Sequence, residues 1–260
     1  MPVLSVNQVP QPASPRQRIA AILLVCAAVF GFTIIDTCAK WLTPRLGPAE
    51  ATFLRYLAGF LWIVPFLNPW RVPGVLVSEK PWLQLVRGCL LLASTALNFL
   101  ALQYLQLAQT VSIMFLAPLI VSLAAGPILG EWPGPRRLVA IGIGFVGVLI
   151  VTRPGAGAIH PAALYSLVGV LCYATILLMT RRLSAKDSPE TTMFYSSLFG
   201  AVVLVPLVFV SWRWPSGVEW LVVAVMGLAA AAGHWLMIQA QRFTEAMERY
   251  TRAGWRTQKS

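Results

Sequence analysis

The chain has 260 residues, 58% hydrophobic and 11% charged, with a mean hydropathy of +0.72 and a formal net charge of +11. A water-soluble domain carries about 25% charged residues, because its surface must meet water. The composition therefore excludes an ordinary soluble enzyme, a disordered chain and a disulfide-stapled secreted module, and indicates a polytopic membrane protein.

A bilayer-spanning helix needs about 20 apolar residues. Taken in chain order, eight segments meet or approach that need: 19–39, 51–67, 83–103, 108–130, 138–152, 161–180, 191–211 and 220–240. Helix-breaking residues separate them. Pro44, Gly47 and Pro48 follow the first, Pro69, Pro73 and Gly74 the second, and Pro133, Gly134 and Pro135 the fourth. Pro118 falls inside the fourth segment, where a proline interrupts the backbone ladder and predicts a kink. The fifth segment is short and carries Gly142, Gly144 and Gly147, small residues that let a neighbouring helix approach. Trp41, Trp70, Trp82, Trp132, Trp212, Trp214 and Trp220 stand at segment ends, where an amphipathic ring suits the membrane interface. Cys26, Cys38, Cys89 and Cys172 lie in or beside apolar runs without a C-x-x-C pair, and read as small hydrophobes. No spacing of His, Cys or carboxylates suits a metal, and no cofactor is expected.

Lys and Arg collect on the cytoplasmic side of membrane proteins. With the N-terminus inside, fifteen of the twenty basic residues fall on that side, among them Arg16, Arg18, Arg71, Lys80, Arg136, Arg137 and the tail cations. Lys40, Arg45, Arg55, Arg153 and Arg213 fall outside. The expectation is a multi-pass inner-membrane protein with both termini cytoplasmic, and nucleic acid is not expected as a partner despite the positive charge.

The sequence also repeats itself. A shift of 141 positions aligns Leu42 with Leu183, Pro48 with Pro189, Phe53 with Phe194, Leu57 with Leu198, Gly59 with Gly200, Val64 with Val205 and Pro65 with Pro206. A shift of 136 pairs Asn98 with His234 and Gln103 with Gln239. Segments one to three thus correspond to six to eight. A repeat unit of five helices enters the membrane from opposite sides in its two copies, which is the inverted-repeat plan of secondary transporters. The expected fold is an all-α polytopic transmembrane helix bundle: eight transmembrane helices from an inverted five-plus-five repeat lacking the last two. Its expected parts are an N-terminal tail (1–18), a first repeat (19–152), an incomplete second repeat (161–240) and a polar tail (241–260).

Several features occur in a fixed order: Asp36-x-x-x-Lys40 ending the first segment, Arg55 early in the second, and Arg87 opening the third. Ala101-Leu-Gln-Tyr-Leu105, Pro118, Gly130-Glu131 and the glycines of the fifth segment follow. In this the chain resembles the EamA family of the drug/metabolite transporter superfamily. The resemblance implies a ten-helix carrier of small metabolites, and hence that this sequence is a C-terminally truncated form. It implies a non-enzymatic secondary transporter, in the export direction, of an amino acid or a cofactor such as riboflavin, working by alternating access. No Walker-type phosphate loop is present, so ATP is not the expected energy source. The expected partners are a small-molecule metabolite, the lipid bilayer and a proton as coupling ion, and the plan leaves room for a homodimer. The alternatives are a non-transporting remnant or assembly partner and, less favoured, a membrane-embedded enzyme.

A charge inside a bilayer costs at least about 2.5 kcal/mol, so it needs a partner, water or a purpose. Asp36 and Lys40 lie one turn apart, and Arg55 enters the next segment at a similar height. They read either as a proton-coupling or substrate-anchoring group or as an ion pair pinning two helices. Arg87 and Glu131, at the inner ends of segments three and four, are candidates for an inner gate, against a reading as plain interfacial charges. Asn98 and His234, matched by the repeat, would bond solute from opposite sides of a central cavity, or each other's helices. His234 is also a residue type that titrates near neutrality. Tyr173 and Tyr195, with Ser196 and Ser197, would line a pocket for a planar solute or serve in packing.

Overall fold

The computed structural model describes residues 15–65, 78–130, 132–152, 160–183, 189–209 and 212–257, and among them the regular structure is entirely helical. In chain order the helices are α1 (Pro15–Leu46), α2 (Pro48–Ile63), α3 (Pro81–Tyr104), α4 (Leu107–Met114) and α5 (Leu116–Leu129). They continue with α6 (Pro135–Thr152), α7 (Ala163–Leu183), α8 (Pro189–Phe209) and α9 (Gly217–Thr257). Six stretches are long and apolar enough to cross a bilayer: Ile19–Leu46, Pro81–Tyr104, Leu107–Ile128, Ala163–Thr180, Thr191–Phe209 and Gly217–Ala240. The 16-residue α2 and the apolar part of α6, Leu138–Ile150, bring the spans to the expected eight.

Local chemistry sets the boundaries. Gly47 at φ +86° makes the reversal between α1 and α2, a backbone state that a side chain would oppose, and Pro48 then starts α2 with its φ already helical. Pro81 opens α3 in the same way. The expected fourth segment is two helices, because Pro118 can neither donate to the carbonyl of Met114 nor sit against it. The chain relieves that conflict at Phe115, between α4 and α5. A reciprocal capping box of Gln106 and Gln109 secures the start of α4. At the other end α9 does not stop at Ala240: the stretch expected as a polar tail continues helical to Thr257.

Unlike a water-soluble bundle, this one is apolar on the outside as well as in its core. Large apolar side chains point outward from α1 (Ile22, Leu23, Phe30), α6 (Val139, Ile143, Ile150), α7 (Leu164, Leu167) and α8 (Val202, Leu207, Phe209). The buried set includes Arg55, Arg87, Ser94, Thr95, Asn98, Thr180 and Ser196. An apolar outer surface with the intramembrane polar groups turned inward is the distribution that lipid imposes, since only the interior can offer those groups a partner. Arg55 and Arg87 are both buried among the helices.

α2 lies at the centre, against both α8 and α9, while α1 packs along α9 and α3 along α7. Glycine makes the central approach possible: a Cβ on Gly227 of α9 would lie 2.5 Å from that of Ala58, and one on Gly200 of α8 would run into the Tyr56 ring. Trp62, which lies inside the second expected segment, donates from Nε1 to the carbonyl of Ala224 on α9 at 3.0 Å.

Candidate functional site

Two of the cavities that the described residues form share a wall within the bundle. The wider of these two has a volume of about 160 Å³ and is walled by α1, α2, α3, α4, α5, α7 and α9. Its wall is largely apolar and aromatic, with Phe32, Phe99, Phe115 and Tyr173 among the rings. Into it come Asp36, Arg55, Ser94, Thr95, Asn98 and His234. A mostly apolar hollow with a few convergent polar groups is the ordinary form of a small-molecule site. The smaller cavity, about 20 Å³, lies between α2, α3, α8 and α9 and is lined by Arg55, Tyr56, Arg87, Ser196, Ser197 and His234, among others. Arg55, Tyr56's neighbour on α2, and His234 on α9 belong to both walls.

Each polar group has a definable role. Asn98 Nδ2 donates to Asp36 Oδ1 at 2.8 Å, tying α3 to α1. Asn98 Oδ1 is buried and has no hydrogen-bond partner among the described residues, so the amide retains an acceptor beside the cavity. Arg55 Nη2 meets His234 Nε2 at 3.1 Å across α2 and α9. A guanidinium can only donate, so this contact needs the Nε2 lone pair, and His234 is neutral with its proton on Nδ1 while it lasts. The Arg55 guanidinium also lies over the Tyr56 ring, 4.7 Å from its centroid. Thr95 gives its proton to Leu91 O at 2.9 Å, so Tyr56 is the donor in the 3.2 Å contact between Tyr56 Oη and Thr95 Oγ1. Phe32 stands edge-on to Tyr173, centroids 6.5 Å apart, and tilted against His234 at 5.2 Å.

The expected ion pairing is rearranged. Lys40 turns away from Asp36 and donates to the carbonyls of Leu102 at 2.6 Å and Leu105 at 2.7 Å. It thereby caps the last turn of α3, where unpaired carbonyls and the helix dipole favour a cation. Arg87 is 5% exposed and donates through Nε to Thr180 at 3.1 Å and through Nη1 to Ser196 at 2.5 Å. Its expected gate partner Glu131 lies outside the described residues. Asp36, Arg55, Asn98, Tyr173 and His234 meet at the wider cavity, and Arg87 lines the smaller one. Lys40 and Tyr195 line neither; Tyr195 stacks edge-on against Phe194 at 5.9 Å. Tyr56, Thr95 and Thr180 are site residues that the sequence reading did not single out. Their only advance signal is a hydroxyl within an apolar helix.

The profile of the EamA-like transporter family matches residues 19–153 and 160–249. The chain belongs to that family. Curated relatives of this EamA-like chain include the riboflavin transporter of Rhizobium johnstonii, 28% identical over 71% of this chain and 62% of its own length. The match thus spans less than two thirds of that relative. The S-adenosylmethionine uptake transporter of Rickettsia felis is 24% identical over 81% of this chain and 71% of its own. The pseudopaline exporter of Pseudomonas aeruginosa is 25% identical over 85% and 78%. A solved crystal structure superposes with a TM-score of 0.65 at 20% identity, covering 84% of this chain and 78% of its own, which shows the shared fold. The EamA-like chain is a multi-pass membrane protein whose relatives are named as transporters of small metabolites.

Proposed function

We propose that the chain is an inner-membrane secondary transporter of a small organic metabolite. The carrying observation is the wider cavity, a hollow inside the membrane-spanning bundle that mixes aromatic walls with Asp36, Asn98, Arg55 and His234. Both halves of the sequence contribute to it. The solute class that suits it is planar and heteroaromatic, packed against wall rings such as Phe32 and Tyr173 and oriented by the Asp36–Asn98 pair. Riboflavin and S-adenosylmethionine, named for relatives, both contain such a ring system.

Alternating access needs two bodies that rock about a shared site. The helix packing supports this. Exchanging α1, α2 and α3 with α7, α8 and α9 carries the α1–α9 contact onto the α7–α3 contact, and α2–α9 onto α8–α3. Arg55 with His234 stands where the two cavities meet, so parting α2 from α9 there joins them. Asp36 is the proposed coupling carboxylate, and outward movement the proposed direction. Both termini are proposed to lie in the cytoplasm.

The test is flux in proteoliposomes holding the purified full chain. Labelled riboflavin, S-adenosylmethionine and amino acids are each offered from either side, with and without a proton gradient. Saturable flux that Asp36→Asn abolishes is expected. Absence of flux for the whole panel would overturn the reading.

A further inference from the structure

Arg55 and Arg87 are 6% and 5% exposed, in the interior of a bundle that lies in lipid. Such charges persist where a counter-charge meets them. Among the described residues neither is in an ion pair with a carboxylate. The one acid at the neighbouring cavity, Asp36, accepts from Asn98, and His234 is neutral in its contact with Arg55. Two cations therefore border the smaller chamber, and no carboxylate is among the described residues that line it.

The residues around Arg87 are set as acceptors. Thr180 spends its proton on Ile176 O at 2.8 Å and Ser196 spends its own on Thr192 O at 2.7 Å. Each hydroxyl thus turns a lone pair to the guanidinium and fixes its plane, without neutralising its charge. On the opposite wall Arg55 Nε is buried without a hydrogen-bond partner among the described residues. The space between is about 20 Å³. Since roughly 10–15 Å³ holds one water-sized group, the chamber admits the end of a molecule and not a whole solute.

We propose that the chamber between Arg55 and Arg87 is an oxyanion site that takes the carboxylate or phosphate group of the carried solute. The assignment of that group to a solute rests on the transport reading above; the oxyanion site itself does not. A guanidinium presents paired N–H donors matched to two oxygens of such a group. Binding supplies a negative charge that none of the described lining residues gives, and it offers Arg55 Nε an acceptor. A lipid headgroup carries the same chemistry, but α2, α3, α8 and α9 wall the chamber, so the solute is the source to which the proposal commits.

The test is equilibrium binding of radiolabelled inorganic phosphate and acetate to the full chain in phosphatidylcholine nanodiscs, at constant ionic strength. Saturable binding is expected. It should weaken about tenfold or more in Arg55→Gln and in Arg87→Gln, since each removes a charge-assisted contact. Ser196→Ala, which only frees the Arg87 plane, should weaken it less. Arg136→Gln, an exposed cation on α6, should leave it unchanged. Arg87→Lys, which keeps the charge and drops the fork, should bind phosphate more weakly than the wild type, and it serves should Arg87→Gln not be recovered folded. No saturable binding by the wild type, or binding lost with Arg136 and kept without both buried arginines, would overturn the site. Displacement of phosphate by added phosphatidylglycerol would overturn the solute as the source. Phosphate bound without any solute flux would fell the transport reading and leave the oxyanion site standing.

Discussion

The two ends of α3 treat a cation in opposite ways. At its carboxyl end Lys40 reaches across from α1 to two backbone carbonyls of the last turn, whose partial negative charge belongs to the fold itself. Near its amino end Arg87 meets two neutral hydroxyls and a small empty space. The first cation closes a helix terminus and joins two helices. The second is oriented by neutral hydroxyls, with no carboxylate partner among the described residues. A charge met by the backbone reads as structure, while one met only by neutral acceptors and a cavity reads as a candidate binding group.

The largest stability effect that bears on this contrast belongs to Lys40→Met. It strips two charge-assisted bonds from a helix end and should lower unfolding stability by about 3 kcal/mol, as measured by thermal unfolding in nanodiscs. Flux per folded molecule should change little. Asp36→Asn should do the reverse, with near-normal thermal stability and flux reduced about tenfold or more, as expected of an intramembrane carboxylate that serves transport. Ser94→Ala removes the 2.8 Å bond from α3 to the Gly169 carbonyl on α7 and should cost about 0.6 kcal/mol, the usual worth of such a bond in a membrane. Ser166→Ala should change stability least, within about 0.5 kcal/mol, because the Ser166 hydroxyl is buried with no hydrogen-bond partner among the described residues. Should Ser166→Ala prove as harmful as Lys40→Met, burial rather than partnering would decide the cost of a polar group here.

Much of this was legible in the residues. Apolar runs broken by proline and glycine gave the spans, because lipid leaves backbone no alternative to the helix. The mid-segment Pro118 signalled a break, although the chain yields at Phe115, on the side that Pro118 itself disables. Asp36 with Arg55, and Asn98 with His234, were each legible as intramembrane polar groups, but their convergence with Tyr173 on one cavity was not. Nor were their partners. Lys40 is one turn from Asp36, yet it bonds to α3, since carbonyls of a different helix do not register in side-chain spacing. The 141-residue register also places Arg55 opposite Ser196, so these two chamber residues on α2 and α8 occupy matching sites. Only the packing of α3 against α8 shows that Ser196 serves Arg87 instead.

Thermal unfolding and solute flux of Arg87→Met, measured side by side with Lys40→Met, test the central claim most directly. A buried cation kept for a ligand is a burden on the empty fold. The account predicts that Arg87→Met unfolds at or above the wild-type temperature and carries no solute, while Lys40→Met unfolds earlier and still carries it. Arg87→Met that unfolds as early as Lys40→Met, with normal flux in the folded fraction, would contradict it.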